Sequence, residues 1–127
     1  MILGVGTDIV RVERIRRLLD KYPNFVDKVF TPEEIRYCSE RSFPEQAYAV
    51  RFAAKEAVMK ALGTGWSGKT NWQDIEVIRD VSGKPDIALY NSTKELMQEL
   101  RVTGIHCSLS HEREFAVAFV VLETEKT

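Results

Sequence analysis

Cysteine is scarce in this chain. Cys38 and Cys107 stand alone among 127 residues, with no CxxC spacing and only two histidines beside them. That excludes a disulfide framework and reads as two reduced thiols in a cytoplasmic protein. Net charge is almost absent too, at -1, so the field of the whole molecule favours neither nucleic acid nor an anionic membrane surface. Long hydrophobic runs are missing. The opening MILGVGTDIV is apolar, but it is short, lacks a basic leader and is interrupted by Asp8, which fits neither a signal peptide nor a membrane span. Repeats, linkers and low-complexity segments are missing as well. What remains is an ordinary globular composition, 44% hydrophobic and 29% charged, long enough for a single domain over residues 1–127 with a real core.

The pattern predicts a mixed chain. Ile2 to Thr7 reads as a strand, with Gly4 and Gly6 admitting a close backbone neighbour. An amphipathic helix is expected from about Ile9 to Lys21, ended by Pro23. Phe25 to Phe30 is apolar and of undetermined type. Thr31-Pro32-Glu33-Glu34 is a capping-box helix start, with the helix running to about Arg41. Pro44 opens a long helix that Gly63 stops. Asp74 to Arg79 and Pro85 to Tyr90 read as strands around a Ser82-Gly83 turn. Ser92 to Glu95 is a second capping box, opening a helix to about Arg101 that Gly104 breaks. Ile105 to Ser110 and Phe115 to Leu122 read as the last strands, followed by a frayed tail. Without regular βαβ alternation the fold class is α+β: a mostly antiparallel sheet packed against a long buried helix and shorter helices.

The long helix, which contains RFAAKEAVMKALG, is apolar almost all round, with many alanines. Such a helix is buried, and buried helices carry few charges because unpaired charge is costly to desolvate. Glu56 and Lys60 nevertheless lie one turn apart, opposite the stripe of Ala47, Val50, Ala54, Ala57, Val58 and Ala61. Either they pair with each other or they line a cleft for something charged. Asp8 is open in the same way. It is an N-cap for the first helix, or it joins Glu56 as the one or two carboxylates that Mg²⁺ takes beside phosphate and water. On the first helix Val12, Ile15, Leu18 and Leu19 form the core stripe. Arg14, Arg17 and Lys21 fall on one flank, as a solvated face or as a ridge for an acidic partner. His111 ends a strand as a structural hydrogen-bonder or as a ligand, and Ser108 and Ser110 share one side of it. GTGWSGKT satisfies GxxxxGK[ST], yet it follows a helix and precedes a strand. A phosphate loop needs the reverse order, so the match is rejected.

Five segments in order carry a resemblance over nearly the whole chain. They are GVGTDIVRVERI (Gly4 to Ile15), FTPEE (Phe30 to Glu34), RFAAKEAVMKALGTG (Arg51 to Gly65), SGKP (Ser82 to Pro85) and SLSH (Ser108 to His111). Together they resemble the small bacterial class of 4'-phosphopantetheinyl transferases, the holo-[acyl-carrier-protein] synthases. The resemblance implies transfer of 4'-phosphopantetheine from coenzyme A to a serine of apo acyl carrier protein, in support of fatty acid biosynthesis. It implies Mg²⁺ held by Asp8 and Glu56, with Lys60 on the coenzyme A phosphates. Arg51, Gly83, Lys84, Pro85, Ser110 and His111 fall in segments that line the coenzyme site. Arg14 matches a basic position facing the carrier, which Arg17 and Lys21 extend. Glu56 and a metal-bound water are both candidates for the general base. Larger members of the class carry two such domains, so this single one implies active sites between subunits, in a homotrimer. The competing readings are a non-catalytic coenzyme A or carrier-protein binding module and an unrelated Mg²⁺-nucleotide enzyme.

Overall fold

A computed structural model describes residues 1–63 and 71–125. The rest of the glycine-rich stretch after Gly63 and the last two residues lie outside them. Three antiparallel strands form the main sheet in the order β1 (Ile2–Arg11), β5 (Phe115–Thr124), β4 (Val102–His111). A separate hairpin pairs β2 (Ile75–Arg79) with β3 (Pro85–Leu89). The helices are α1 (Val12–Lys21), α2 (Phe25–Val29), α3 (Pro32–Ser39), α4 (Pro44–Leu62) and α5 (Asn91–Glu99). This is the expected α+β arrangement, with α4 lying across one face of the main sheet.

Alternation in β5 shows how that face is made. Ala116, Ala118, Val120 and Leu122 are all buried, while Val117, Phe119 and Glu123 point out. The period of two places one set against the helix, and each large aliphatic side chain so buried contributes about 1.5–3 kcal/mol. Helix α4 meets β1 at Ala57 and Ala61, and Ala49, Phe52, Ala53, Val58 and Met59 are buried in the same core. Small residues let the helix lie close to the strands. Its end follows from Gly63, whose φ of 74° makes the left-handed C-cap.

Three expectations need correction. Asp8 is not a helix cap. Strand β1 continues through it, with Asp8 opposite Ala118 and the ladder running on to Arg11 opposite Phe115. The β-branched Ile9 and Val10 suit a strand, and α1 starts only at Val12. The second capping box does not form. Helix α5 begins at Asn91 with Tyr90 as its cap, and the Ser92 hydroxyl donates to the buried Asp74 carboxylate instead, at 3.3 Å. Gly104 lies within β4 rather than breaking a helix, beside a register shift that absorbs it. The Thr31 capping box forms as read, with Glu34 answering the Thr31 backbone N–H at 2.9 Å, although α3 ends at Ser39 rather than near Arg41.

Candidate functional site

Gly4, Gly6 and Asp8 are alternate residues of β1 and face α4. A Cβ built on Gly4 would stand 2.2 Å from the Ala61 carbonyl oxygen, and one on Gly6 only 1.8 Å from that of Ala57. The two glycines therefore bring strand and helix backbones into contact. Asp8, the next residue on that side, reaches the helix flank where Glu56 and Lys60 project. The Lys60 ammonium donates to Asp8 Oδ1 at 3.0 Å and to the Thr7 carbonyl at 2.9 Å. Lys60 thus pairs with Asp8, 52 residues away, and not with Glu56 on its own helix.

Glu56 is half-buried, and its carboxyl is pushed above the ordinary range. Burial is the larger cause and the charge of Asp8 the second, opposed by Lys60 and Arg14. Asp8 and Glu56 are therefore near enough for their charges to interact, and Glu56 forms no ion pair among the described residues. Among the described residues no cluster of three His, Cys, Asp or Glu offers a closed metal cage. An open two-carboxylate donor set is what Mg²⁺ accepts when water and phosphate complete its shell. The residues fit that ion.

Arg14 stands beside this pair, with its guanidinium 5.7 Å from the centre of the Phe52 ring, and Phe52 stacks on Trp72 at 5.1 Å. Arg17 and Lys21 are exposed further along α1. Arg16, on the other flank, is bound to Glu13 and Asp20.

A second feature lies apart from the carboxylates. A cleft of about 360 Å³ is lined by Arg51, Pro85 and His111, with Tyr37, Arg41, Phe43, Arg79 and Leu109, and Asp8, Glu56 and Lys60 do not reach it. Arg41, Arg51 and Arg79 surround the Tyr37 ring at 4.4, 4.2 and 5.3 Å from its centre. None of the three guanidiniums forms an ion pair among the described residues, and Arg51, 5% exposed, keeps its Nε without a partner. Three cations around an aromatic ring without a carboxylate make a seat for an anion. The other residues of the expected coenzyme set lie elsewhere. Gly83 forms the hairpin turn with φ 88°, which only glycine adopts easily. Lys84 lines a small hollow with Asp80 and Cys107, and Ser110 is exposed on the opposite face of β4 from Leu109.

Sequence reasoning missed Lys55. Its ammonium is wholly buried and meets Glu34 at 2.7 Å, the Trp72 carbonyl at 3.0 Å and the Ile75 carbonyl. Glu34 also accepts from the Val77 N–H at 2.9 Å. Burial pulls Lys55 down from the ordinary lysine range, and Glu34 pulls it back. The signal was present, since Lys55 falls on the apolar side of the helical wheel. Tyr37, Arg41 and Arg79 were missed because no spacing joins them.

The face of the main sheet turned away from α4 is apolar across β1 and β5. Val5 stands opposite Val121 and Ile9 opposite Val117, while Phe119 is 45% exposed between them. No helix among the described residues is long and apolar enough to cross a membrane.

Residues 4–120 match the profile of the 4'-phosphopantetheinyl transferase superfamily. The chain is 45% identical over 124 residues to a holo-[acyl-carrier-protein] synthase of Geobacter sp. strain M21, covering 97% of this chain and 99% of that one. The crystal structure of holo-[acyl-carrier-protein] synthase from Neisseria meningitidis superposes with a TM-score of 0.91 at 38% identity, over 98% of this chain and all of the other. A Bacillus anthracis holo-(acyl-carrier-protein) synthase in complex with CoA (3',5'-ADP) gives a TM-score of 0.82 at 38% identity, over 98% and 99%.

Proposed function

The chain belongs to the 4'-phosphopantetheinyl transferase superfamily and to its holo-[acyl-carrier-protein] synthases, and from that premise we propose how its residues act. It moves 4'-phosphopantetheine from coenzyme A to a serine of apo acyl carrier protein and releases adenosine 3',5'-bisphosphate. The serine oxygen forms a bond to the β-phosphorus while the bond to the bridging oxygen breaks. The serine proton leaves to Glu56 or to a water that Glu56 holds.

Phosphoryl transfer asks the protein mainly for placement and for cancelled charge. Asp8 and Glu56 hold Mg²⁺, which when bound neutralises non-bridging oxygens of the diphosphate. Lys60 meets charge on the leaving phosphate, a contribution of about 3 kcal/mol for one donor of this kind. Arg51 and His111 receive the anionic nucleotide end of coenzyme A, with Arg41 and Arg79 behind them. Gly83, Lys84, Pro85 and Ser110 belong to segments that border it. Arg14, Arg17 and Lys21 steer the acidic carrier.

The observation that carries this reading is the convergence of Asp8, Glu56 and Lys60 from β1 and α4. The arginine cleft lies apart from those carboxylates, and an apolar sheet face stands exposed. Both features support a homotrimer in which one subunit's carboxylates meet its neighbour's nucleotide cleft. Its setting is cytoplasmic, as one domain over residues 1–127. Its product serves fatty acid biosynthesis, because the pantetheine thiol is where acyl chains are carried. Intact-mass spectrometry of an apo carrier incubated with the protein, coenzyme A and Mg²⁺ tests the activity. A phosphopantetheine increment that disappears with EDTA is expected. An unchanged carrier mass overturns the function, and an increment that survives EDTA overturns the metal role.

A further inference from the structure

We propose that Lys60 is a latch on the metal site, closed when no diphosphate is present; this rests on the reading of Asp8 and Glu56 as the metal pair. The Lys60 ammonium lies 3.0 Å from Asp8 Oδ1 and 2.9 Å from the carbonyl of Thr7, which belongs to the edge strand β1. The side chain of Lys60 is 53% exposed and that of Asp8 only 16%. A half-solvated cation therefore caps a largely buried carboxylate. Mg²⁺ requires its oxygens at about 2.0–2.1 Å in near-octahedral geometry. An ammonium on the same carboxylate oxygen occupies one of those directions and repels the ion. Its departure therefore strengthens the hold of Asp8 on the metal.

Lysine suits this role because its charge sits on a flexible four-carbon stem. The acceptors it would lose at Asp8 and Thr7 are replaced when a diphosphate arrives, since phosphate oxygens offer an equivalent anionic partner. Donor binding thus draws the ammonium off Asp8 and opens the carboxylate at the same moment. Metal and donor load cooperatively, and the coupling is reciprocal. Without the donor, the latch keeps the site from holding a divalent cation tightly.

Binding of Mn²⁺ alone to the metal-stripped native assembly, without coenzyme A, is read by electron paramagnetic resonance of the free ion. Lys60→Met is expected to bind Mn²⁺ about three- to fivefold tighter than wild type, the upper part of the scale of one lost exposed ion pair. Lys60→Gln replaces it should the methionine variant not fold. Arg14→Gln controls for the general field, because Arg14 acts on Glu56 through space and does not bond Asp8. It should tighten binding by less than about twofold. Equal tightening by Arg14→Gln, or affinity of the Lys60 variants within twofold of wild type, overturns the latch. Asp8→Asn should abolish Mn²⁺ binding. Undiminished affinity there overturns the metal reading itself, a failure separate from that of the latch.

Discussion

Gly6→Ala tests the link between a sequence motif and the geometry of the site. The added methyl would start 1.8 Å from the Ala57 carbonyl oxygen and 2.8 Å from the Ala61 nitrogen, both backbone atoms that cannot rotate away. Even a tight 3.0 Å contact to that oxygen would require strand and helix to part by about 1.2 Å. A gap of 0.5–1 Å already forfeits roughly a quarter to a half of a dispersion contact, and here it would spread along the alanine face of α4. Overpacking of this kind costs about 1–3 kcal/mol, with the upper end expected where only backbone is available to give. For a domain of this size that is a fall in Tm of roughly 5–12 °C.

The same displacement moves Asp8 away from Glu56 and Lys60, and a misplacement of about 1 Å costs on the order of a hundredfold in rate. Thermal melting and carrier modification followed by mass should both be run, the second at a temperature where the variant is folded. Gly104→Ala is the control, because its nearest contacts lie at 3.4 Å and are the side chains of Glu123 and His106. It should melt within about 2 °C of wild type, as surface substitutions do. A Gly6→Ala protein with unchanged Tm, or one destabilised but of full activity when folded, would refute the argument that the glycines set the distance from Asp8 to Glu56.

Lys55→Met leaves Glu34 buried without its partner and should cost about 3–5 kcal/mol in urea unfolding; a loss under about 1 kcal/mol would show that Glu34 is satisfied without it. Glu56→Gln should abolish transfer yet raise stability in EDTA. The folded state holds this carboxyl above its ordinary range, so it binds more protons than the unfolded chain, and ionisation penalises folding as pH rises past the ordinary carboxylate range. The gain in Tm over wild type should be near zero at about pH 4 and grow toward neutrality, and a constant offset would count against the desolvation argument. Arg17→Glu with Lys21→Glu should raise the apparent carrier KM about tenfold and leave that for coenzyme A within twofold. Equal losses in both would remove α1 as the carrier's docking ridge.

These predictions separate what the chain discloses locally from what only folding assembles. The capping box at Thr31, the glycine stop at Gly63, the alternation in β5 and the all-round apolar α4 were legible because each is decided within a few residues. The error at Asp8 shows the limit. An aspartate after an apolar strand is a sound helix cap on local grounds, and only the ladder to β5, more than a hundred residues on, extends the strand through it. The same ladder makes the site, because it carries Asp8 past the two glycines to the flank of α4. Lys60 demonstrates this from the other side. Its spacing favours Glu56, yet its ammonium goes to Asp8, since that carboxylate and the Thr7 carbonyl together offer two acceptors in place of one. Of the two readings of the charged pair on α4, the structure removes the pairing of Lys60 with Glu56. A helical wheel compares residues on one element, whereas electrostatic partners are chosen by whatever strand the small residues allow to come near.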